Sequence, residues 1–246
     1  MDENDFLSLL DSNEKPFAQE QTAKPQYNNT NNNNRKPKQP NIFERTDIKA
    51  VAIDPSKFDT KGKSFSIMHY VEGDLPPEVT EKFLKVSQVL FSKGYTYRAV
   101  YDVKNTLAAA IASLEGAKVE YYSPWKFKGM DENLPIKRFA PSEEAYGIGC
   151  SNHKIFMKLP NGLRARLAAE VHTLLGEDCK QPLTMLITYS ESGDEALTKN
   201  VDFKAIKTMT FAYRIAGNSN IPIYNLKKSD AGERLASKIK HLEENN

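Results

Sequence analysis

The sequence predicts an α/β protein with a doubly wound parallel sheet flanked by helices, preceded by a disordered N-terminal arm. Three observations carry this prediction. Strand-like and helix-like segments alternate from residue 64 onwards, as in right-handed βαβ units. The segment 183–190, LTMLITYS, is almost continuously apolar, which is typical of an interior parallel strand. Residues 12–41 are polar, rich in asparagine and interrupted by proline, so they offer little apolar surface to offset the entropy of ordering.

The chain divides into three parts by composition. Residues 1–11 are predicted to form a short acidic and hydrophobic docking motif, residues 12–60 a disordered linker that is Asn-rich and then basic, and residues 61–246 the folded Rossmann-like domain. The first segment resembles a docking motif that orders on a partner, and the alternative is that it packs on its own domain. Its apolar residues are Phe6, Leu7, Leu9 and Leu10.

The first half of the domain reads as two βα units and a third strand. Pro76 and Pro77 open the first helix, because proline is tolerated in a first turn, and Gly94 ends it as a C-cap. The predicted strands are 64–71, 95–101 and 118–122, and the predicted helices are 76–94 and 106–114.

The second half begins with a connection, residues 123–139, that contains Pro124 and Pro135. After it, helical and strand-like patterns alternate again up to an amphipathic C-terminal helix. The predicted helices are 141–153, 163–176, 201–220 and 231–244, and the predicted strands are 183–190 and 221–226.

Three predicted turns occupy the strand ends at which doubly wound sheets bind ligands, namely 69–78, 100–105 and 190–200. Phosphates bind there through exposed backbone N–H groups at helix N-termini, and glycine permits the close approach. None of the three turns carries a glycine-rich phosphate motif.

Several segments together resemble the SLOG/DprA-like Rossmann family, which includes phage-encoded relatives of DNA-processing protein A. They are SKGYTYR, AAAIASLEGAKVEYYSPWK, PSEEAY, LLGEDCKQPLTMLITYS and AYRIAGNSNIPIYNL, spanning roughly residues 64–226. The resemblance implies a Rossmann-like fold and, as one alternative, a nucleotide or nucleotide-signal binding protein, a hydrolase or an anti-defence decoy. The family's glycine clusters would fall at residues 99–105 and 207–213.

Both of those positions hold side chains instead of glycines. We therefore expect no enzymatic activity and no cofactor, with Tyr101, Asp102, Met209 and Phe211 closing the phosphate site. In overall character the chain is also similar to early DNA-binding, transcription-regulating proteins of T5-like phages. That similarity implies action in viral transcription or DNA replication, in the host cytoplasm of an infected bacterium.

Basic residues with aromatic neighbours predict sequence-tolerant binding of double-stranded DNA through its phosphates. The alternative is an ordinary solvated surface. We further expect the N-terminal segment to recruit polymerase or replication proteins, and the protein to form a homo-oligomer. The candidate DNA-binding residues are Arg35, Lys36, Lys38, Arg45, Lys126, Lys128, Lys137, Arg138, Lys154, Lys158, Arg164 and Arg166.

Other classes of site have weaker support. Cys150, His153, His172 and Cys179 could supply four zinc ligands, but their spacing is not that of a usual zinc knuckle, so core or surface positions are favoured. A Cys150–His153 nucleophile pair is likewise less favoured than a packed helix. Only two cysteines and no long apolar run are present, which predicts a protein of a reducing cytosol without a membrane span.

Overall fold

The computed structural model describes residues 47–70, 74–102, 104–127, 130–190 and 208–244. Six parallel strands form one sheet in the order β4-β3-β2-β1-β5-β6. The strands are β1 (Ser64–Tyr70), β2 (Thr96–Val100), β3 (Val119–Ser123), β4 (Ile136–Phe139), β5 (Met185–Ser190) and β6 (Ile223–Asn225). The predicted fold class, a Rossmann-like α/β domain, is confirmed.

Three helices cover one face of the sheet, which we call the first face. They are α1 (Pro77–Ser92), α2 (Thr106–Ala112) and, after β6, α6 (Ala231–Glu244). Phe65 of β1 is fully buried there beneath Phe91 of α1, with ring centroids 5.7 Å apart. Alternate residues of each strand point to this face, so one apolar core joins the three helices to the sheet.

The opposite, second face carries the other three helices, α3 (Glu143–Asn152), α4 (Asn161–Leu175) and α5 (Thr208–Asn218). Helix α4 is buried along almost its whole length. Its Leu167, Val171 and Leu174 are fully buried. Because β1 leads to α1 on the first face and β5 leads to α5 on the second, the topological switch point lies between the carboxyl ends of β1 and β5.

An extended segment ahead of β1, residues 47–53, crosses α3 and is here called the strap. Ile48 is buried in the core of the second face. The Val51 N–H donates to the Gly147 carbonyl at 2.9 Å, and the Ser151 hydroxyl donates to the Val51 carbonyl at 2.7 Å. Residues 47–60, which the sequence assigns to the linker, therefore lie against the domain.

One strand is absent from the sequence-based prediction. Residues 136–139 fall within the predicted connection, yet they form β4 at the edge of the sheet. The register shifts between Tyr121 and Tyr122 of β3, where β4 pairs. Within the described parts of the connection between the parallel strands β3 and β4, residues 124–127 and 130–135, there is no helix, and the Asp131 carboxylate holds a turn at Asp131–Asn133.

Candidate functional site

The carboxyl end of β2 meets the first turns of α4 through an ion pair. Asp102 follows β2 directly, and its carboxylate lies 3.1 Å from the Arg166 guanidinium. The other carboxylate oxygen accepts the Lys104 N–H at 3.0 Å, which closes the turn ahead of α2. Asn105 then caps α2 by accepting the Ala108 N–H. Side-chain oxygens of Asp102 and Asn105 therefore accept the backbone N–H groups of this turn, which lacks glycine.

Trp125 stands where the end of β3 approaches α4. Its side chain is 38% exposed, and its carbonyl accepts the Ser123 hydroxyl at 2.7 Å. The ring lies 5.4 Å from that of Phe127, which in turn lies 5.9 Å from that of Tyr101. A Cβ on Gly162, in the first turn of α4, would be 3.9 Å from the Trp125 ring. The structure thereby brings together two parts of the chain that the sequence left separate.

Basic residues flank this contact along the chain, because Lys126 follows Trp125 while Lys158 and Arg166 lie just before and on α4. Lys126 and Lys158 are exposed, and within the described residues neither has a carboxylate partner. Arg166 is half-exposed and shares its charge with Asp102. We call the group formed by Trp125, Lys126, Lys158 and Arg166 the Trp125 surface.

The basic residues of β4 are less available. Lys137 lies 3.6 Å from Glu120, whose carboxylate also binds Arg98 at 2.9 Å. Arg138 donates to the Ala140 carbonyl at 3.2 Å. Phe139, at the end of β4, is 44% exposed. At the end of β4 the available group is therefore the apolar ring of Phe139, because both basic side chains of the strand already have partners.

Arg164 requires a correction to the sequence-based prediction. It was expected on the DNA-binding corner, but it is only 5% exposed. Its guanidinium donates to the Met157 carbonyl at 3.5 Å and to the Asn161 side chain. Arg164 therefore ties the 3-10 turn at Phe156–Lys158 to the start of α4, while Lys154 and Lys158 of the same corner are exposed.

The remaining predicted residues lie outside the described residues. They are Arg35, Lys36, Lys38, Arg45 and Lys128 among the DNA-binding candidates, and Phe6, Leu7, Leu9 and Leu10 in the N-terminal segment.

The switch point carries three polar side chains that the sequence-based reasoning did not single out. His69 of β1 is exposed and lies beside Tyr189 of β5 in the parallel register. The Lys227 ammonium, just beyond β6, lies 3.5 Å from the Tyr189 hydroxyl and 5.5 Å from its ring centroid. Their positions in the sequence could have indicated them, because each residue falls at or just past the carboxyl end of a recognisable strand, where doubly wound sheets bind ligands.

Of the side chains expected to close a phosphate site, Tyr101 and Asp102 follow the end of β2, whereas Phe211 of α5 lies elsewhere. Phe211 is 1% exposed and stacks on Phe156 in the core of the second face, with centroids 6.2 Å apart. Tyr213 is also buried, and its hydroxyl lies 2.7 Å from that of Thr188 in β5. These residues of α5 fill the interior and do not stand at the strand ends. The side chain of Met209 lies outside the described residues.

His172 and Cys179 meet in the interior without forming a reactive pair. His172 Nδ1 lies 3.0 Å from the Gly176 carbonyl and 3.6 Å from the Cys179 sulfur, and Nε2 accepts the Ser142 N–H at 3.0 Å. Burial lowers the pKa of His172 to about 4 and raises the pKa of Cys179 to about 12. A neutral imidazole beside a neutral thiol is a structural link between α3 and α4.

The other zinc candidates do not complete a metal site. Burial raises the pKa of the half-buried Cys150 thiol and lowers the pKa of His153. In the part of the chain that the structure describes, no group of three or more His, Cys, Asp or Glu side chains is arranged to hold a metal ion.

Comparisons with known proteins add no relative. No model of a protein family, no curated protein and no solved structure matches this chain. Among the helices of the described ranges, none has the length and apolar character needed to cross a bilayer.

Proposed function

We propose that this protein binds DNA, with the Trp125 surface as the contact made by the folded domain. The observation that carries the proposal is the approach of the exposed Trp125 ring to the first turn of α4. Lys126 follows Trp125 in the chain, Lys158 lies two residues before the N-cap of α4, and Arg166 lies on α4 itself. Cations interleaved with an aromatic side chain are the usual composition of a nucleic-acid contact. Action in viral transcription or replication is the corresponding proposed role.

Electrostatics favour contact with phosphates over base recognition. Lys126 and Lys158 have no carboxylate partner among the described residues, so a phosphate would not have to displace an existing ion pair. The N-cap of α4, Pro160, provides no side-chain acceptor for the N–H groups of the first turn, which adds partial positive charge at the same place. These contacts carry no sequence information, so binding should tolerate many sequences.

The test is fluorescence anisotropy with a labelled duplex over a series of salt concentrations. If the domain contributes about three phosphate contacts, affinity should fall about 40-fold between about 50 and 200 mM salt. The double variant Lys126→Gln/Lys158→Gln should lower the slope of log affinity against log salt by about 2. Trp125 is the one tryptophan of the chain, so its fluorescence reports directly on contact at this surface.

A matched control removes the same charge elsewhere. Lys180 and Lys240 are exposed, Lys180 on the loop ahead of β5 and Lys240 on α6. The variant Lys180→Gln/Lys240→Gln should bind as the unaltered protein does. Equal losses in both double variants, or salt-independent binding, would refute the proposed contact.

A second candidate function is binding of a nucleotide or a nucleotide-derived signal at the switch point. The alignment of His69, Tyr189 and Lys227 at neighbouring strand ends favours it, because it offers a ring, a hydroxyl and a cation to one anionic ligand. This site predicts thermal stabilisation by a nucleotide that is lost in Lys227→Gln and kept in Lys126→Gln. No stabilisation by any common mono- or dinucleotide would rule out this candidate.

A further inference from the structure

We propose that the chain's own N-terminal segment, residues 1–11, docks on the end of the sheet around Trp125 and Phe139. Within the described residues these are the two large hydrophobic side chains that are exposed, at 38% and 44%. Trp125 follows β3, and Phe139 is the last residue of the adjacent strand β4, where it pairs in register with Ser123. Regulation of DNA binding by this contact rests on the proposed function, whereas the docking itself does not.

The apolar character of this end calls for an apolar partner. Phosphates can satisfy Lys126 and Lys158, but the outer surface of a duplex offers nothing apolar to cover the ring of Phe139. The N-terminal segment carries Phe6, Leu7, Leu9 and Leu10. Burial of such side chains against an aromatic ring is favourable because it removes apolar surface from water, so this segment is a suitable partner for the two exposed rings.

Charge is complementary as well. The apolar residues of the segment are flanked by Asp2, Glu3, Asp5 and Asp11. The receiving end of the sheet carries the exposed Lys126, which has no carboxylate partner among the described residues. On the neighbouring strand, Lys137 and Arg138 are also basic, although they already contact Glu120 and the Ala140 carbonyl. The acidic side chains can thus approach the basic positions while the apolar side chains cover the rings. Each charge pair adds little alone, and together they orient the segment.

The connection is long enough. The strap fixes the chain at Ile48 and Val51 against α3, and about 35 residues lie between the segment and the first described residue. A polar linker of that length, behaving as the sequence predicts, has a root-mean-square span of about 30 Å. A folded domain of this size has a radius of gyration of about 16 Å. Tethering of this kind gives an effective concentration in the millimolar range, so weak docking suffices.

Docking at this place would oppose DNA binding. The carboxylates of the segment would occupy the neighbourhood of Lys126, which the proposed function assigns to phosphates. The segment would act as a competitor carried by the same chain, and DNA would have to displace it. Removing its apolar residues should therefore strengthen DNA binding at low salt.

The experiment measures quenching of Trp125 fluorescence by acrylamide in the full chain. The variant Phe6→Ala/Leu10→Ala should raise the quenching constant about twofold, because the ring loses its cover. The matched control Phe17→Ala removes an aromatic side chain of the linker outside the segment and should leave the quenching constant unchanged. Measurement at several protein concentrations should give the same values, since the contact lies within one chain.

The quenching and DNA-binding measurements test the docking and the proposed function separately. Unchanged quenching in Phe6→Ala/Leu10→Ala, equal change in Phe17→Ala, or quenching that depends on protein concentration would overturn docking within the chain. DNA affinity should rise about threefold to tenfold in Phe6→Ala/Leu10→Ala. If quenching rises while no form of the protein binds DNA, the docking stands and the proposed function fails.

Discussion

Substitution of Gly147 by alanine tests how tightly the strap is built into the domain. A Cβ at this position would lie 2.6 Å from Cγ2 of Val51 and 2.7 Å from the carbonyl oxygen of Lys49. Real Cβ atoms do not tolerate such distances, and the backbone oxygen cannot rotate away as the end of a side chain can. The substitution must therefore displace either the strap or α3.

The cost can be estimated from what the strap contributes. Lifting it exposes Ile48 and breaks the hydrogen bonds that Val51 makes with Gly147 and Ser151. Burial of one aliphatic side chain is favourable by roughly 1.5–3 kcal/mol, and each hydrogen bond contributes about 1 kcal/mol. Alanine returns about 1 kcal/mol through its better helix propensity. The free energy of unfolding should fall by about 2.5–4 kcal/mol, or about 5–16 °C in Tm.

The assay is thermal unfolding combined with limited trypsin digestion at Lys49, which the displaced strap would expose to the protease. The control is Gly217→Ala in α5, where a Cβ would meet nothing within 4 Å. That variant should be as stable as the unaltered protein or slightly more stable. A Gly147→Ala protein with unchanged Tm and unchanged cleavage at Lys49 would refute the packing described for the strap.

Three further predictions concern buried titratable groups. Burial raises the pKa of Glu170 on α4 from the ordinary value of 4.5 to about 8, so the buried carboxyl lowers the stability of the folded state increasingly as the pH rises between these values. Glu170→Gln should therefore raise Tm more at pH 8 than at pH 5, and an equal gain at both pH values would contradict this. Burial lowers the pKa of His172 to about 4, so stability should fall as the pH drops from 6.5 towards 4, and less steeply in His172→Gln; parallel curves would count against it. The Cys179 thiol, with a pKa of about 12, should react with a thiol reagent in Cys150→Ser only as fast as the protein unfolds, and rapid labelling under native conditions would show that the site is open.

The sequence predicted most of the fold because its signals are strong and local. Pro77 and Gly94 mark the ends of α1, and the apolar run of β5 could only belong to the sheet interior. Strand β4 escaped prediction because it has four residues, two of them exposed, and the described parts of the connection ahead of it contain no helix. The strap was not predicted because its packing partner, Gly147, is distant in sequence, and nothing in the sequence indicates that a second segment lies against this glycine.

For the candidate site residues, the sequence indicates which side chains are exposed better than which side chains turn inwards. Lys126 and Lys158 lie on the surface as expected, but Arg164 is buried by a local fit to Met157 and Asn161 that composition does not encode. The approach of Trp125 to Gly162 joins residues far apart in sequence, so no spacing rule could have found it. Long-range contacts of this kind depend on helix placement over the sheet.

The two outermost strands of the sheet are short, four residues in β4 and three in β6. A neighbouring molecule that tried to extend the ladder at either margin would gain few main-chain bonds, and Lys137 would stand in its way at the β4 margin. The short edge strands therefore disfavour edge-to-edge pairing of sheets into open-ended fibres. Contacts between copies are thus expected away from the two margins of the sheet.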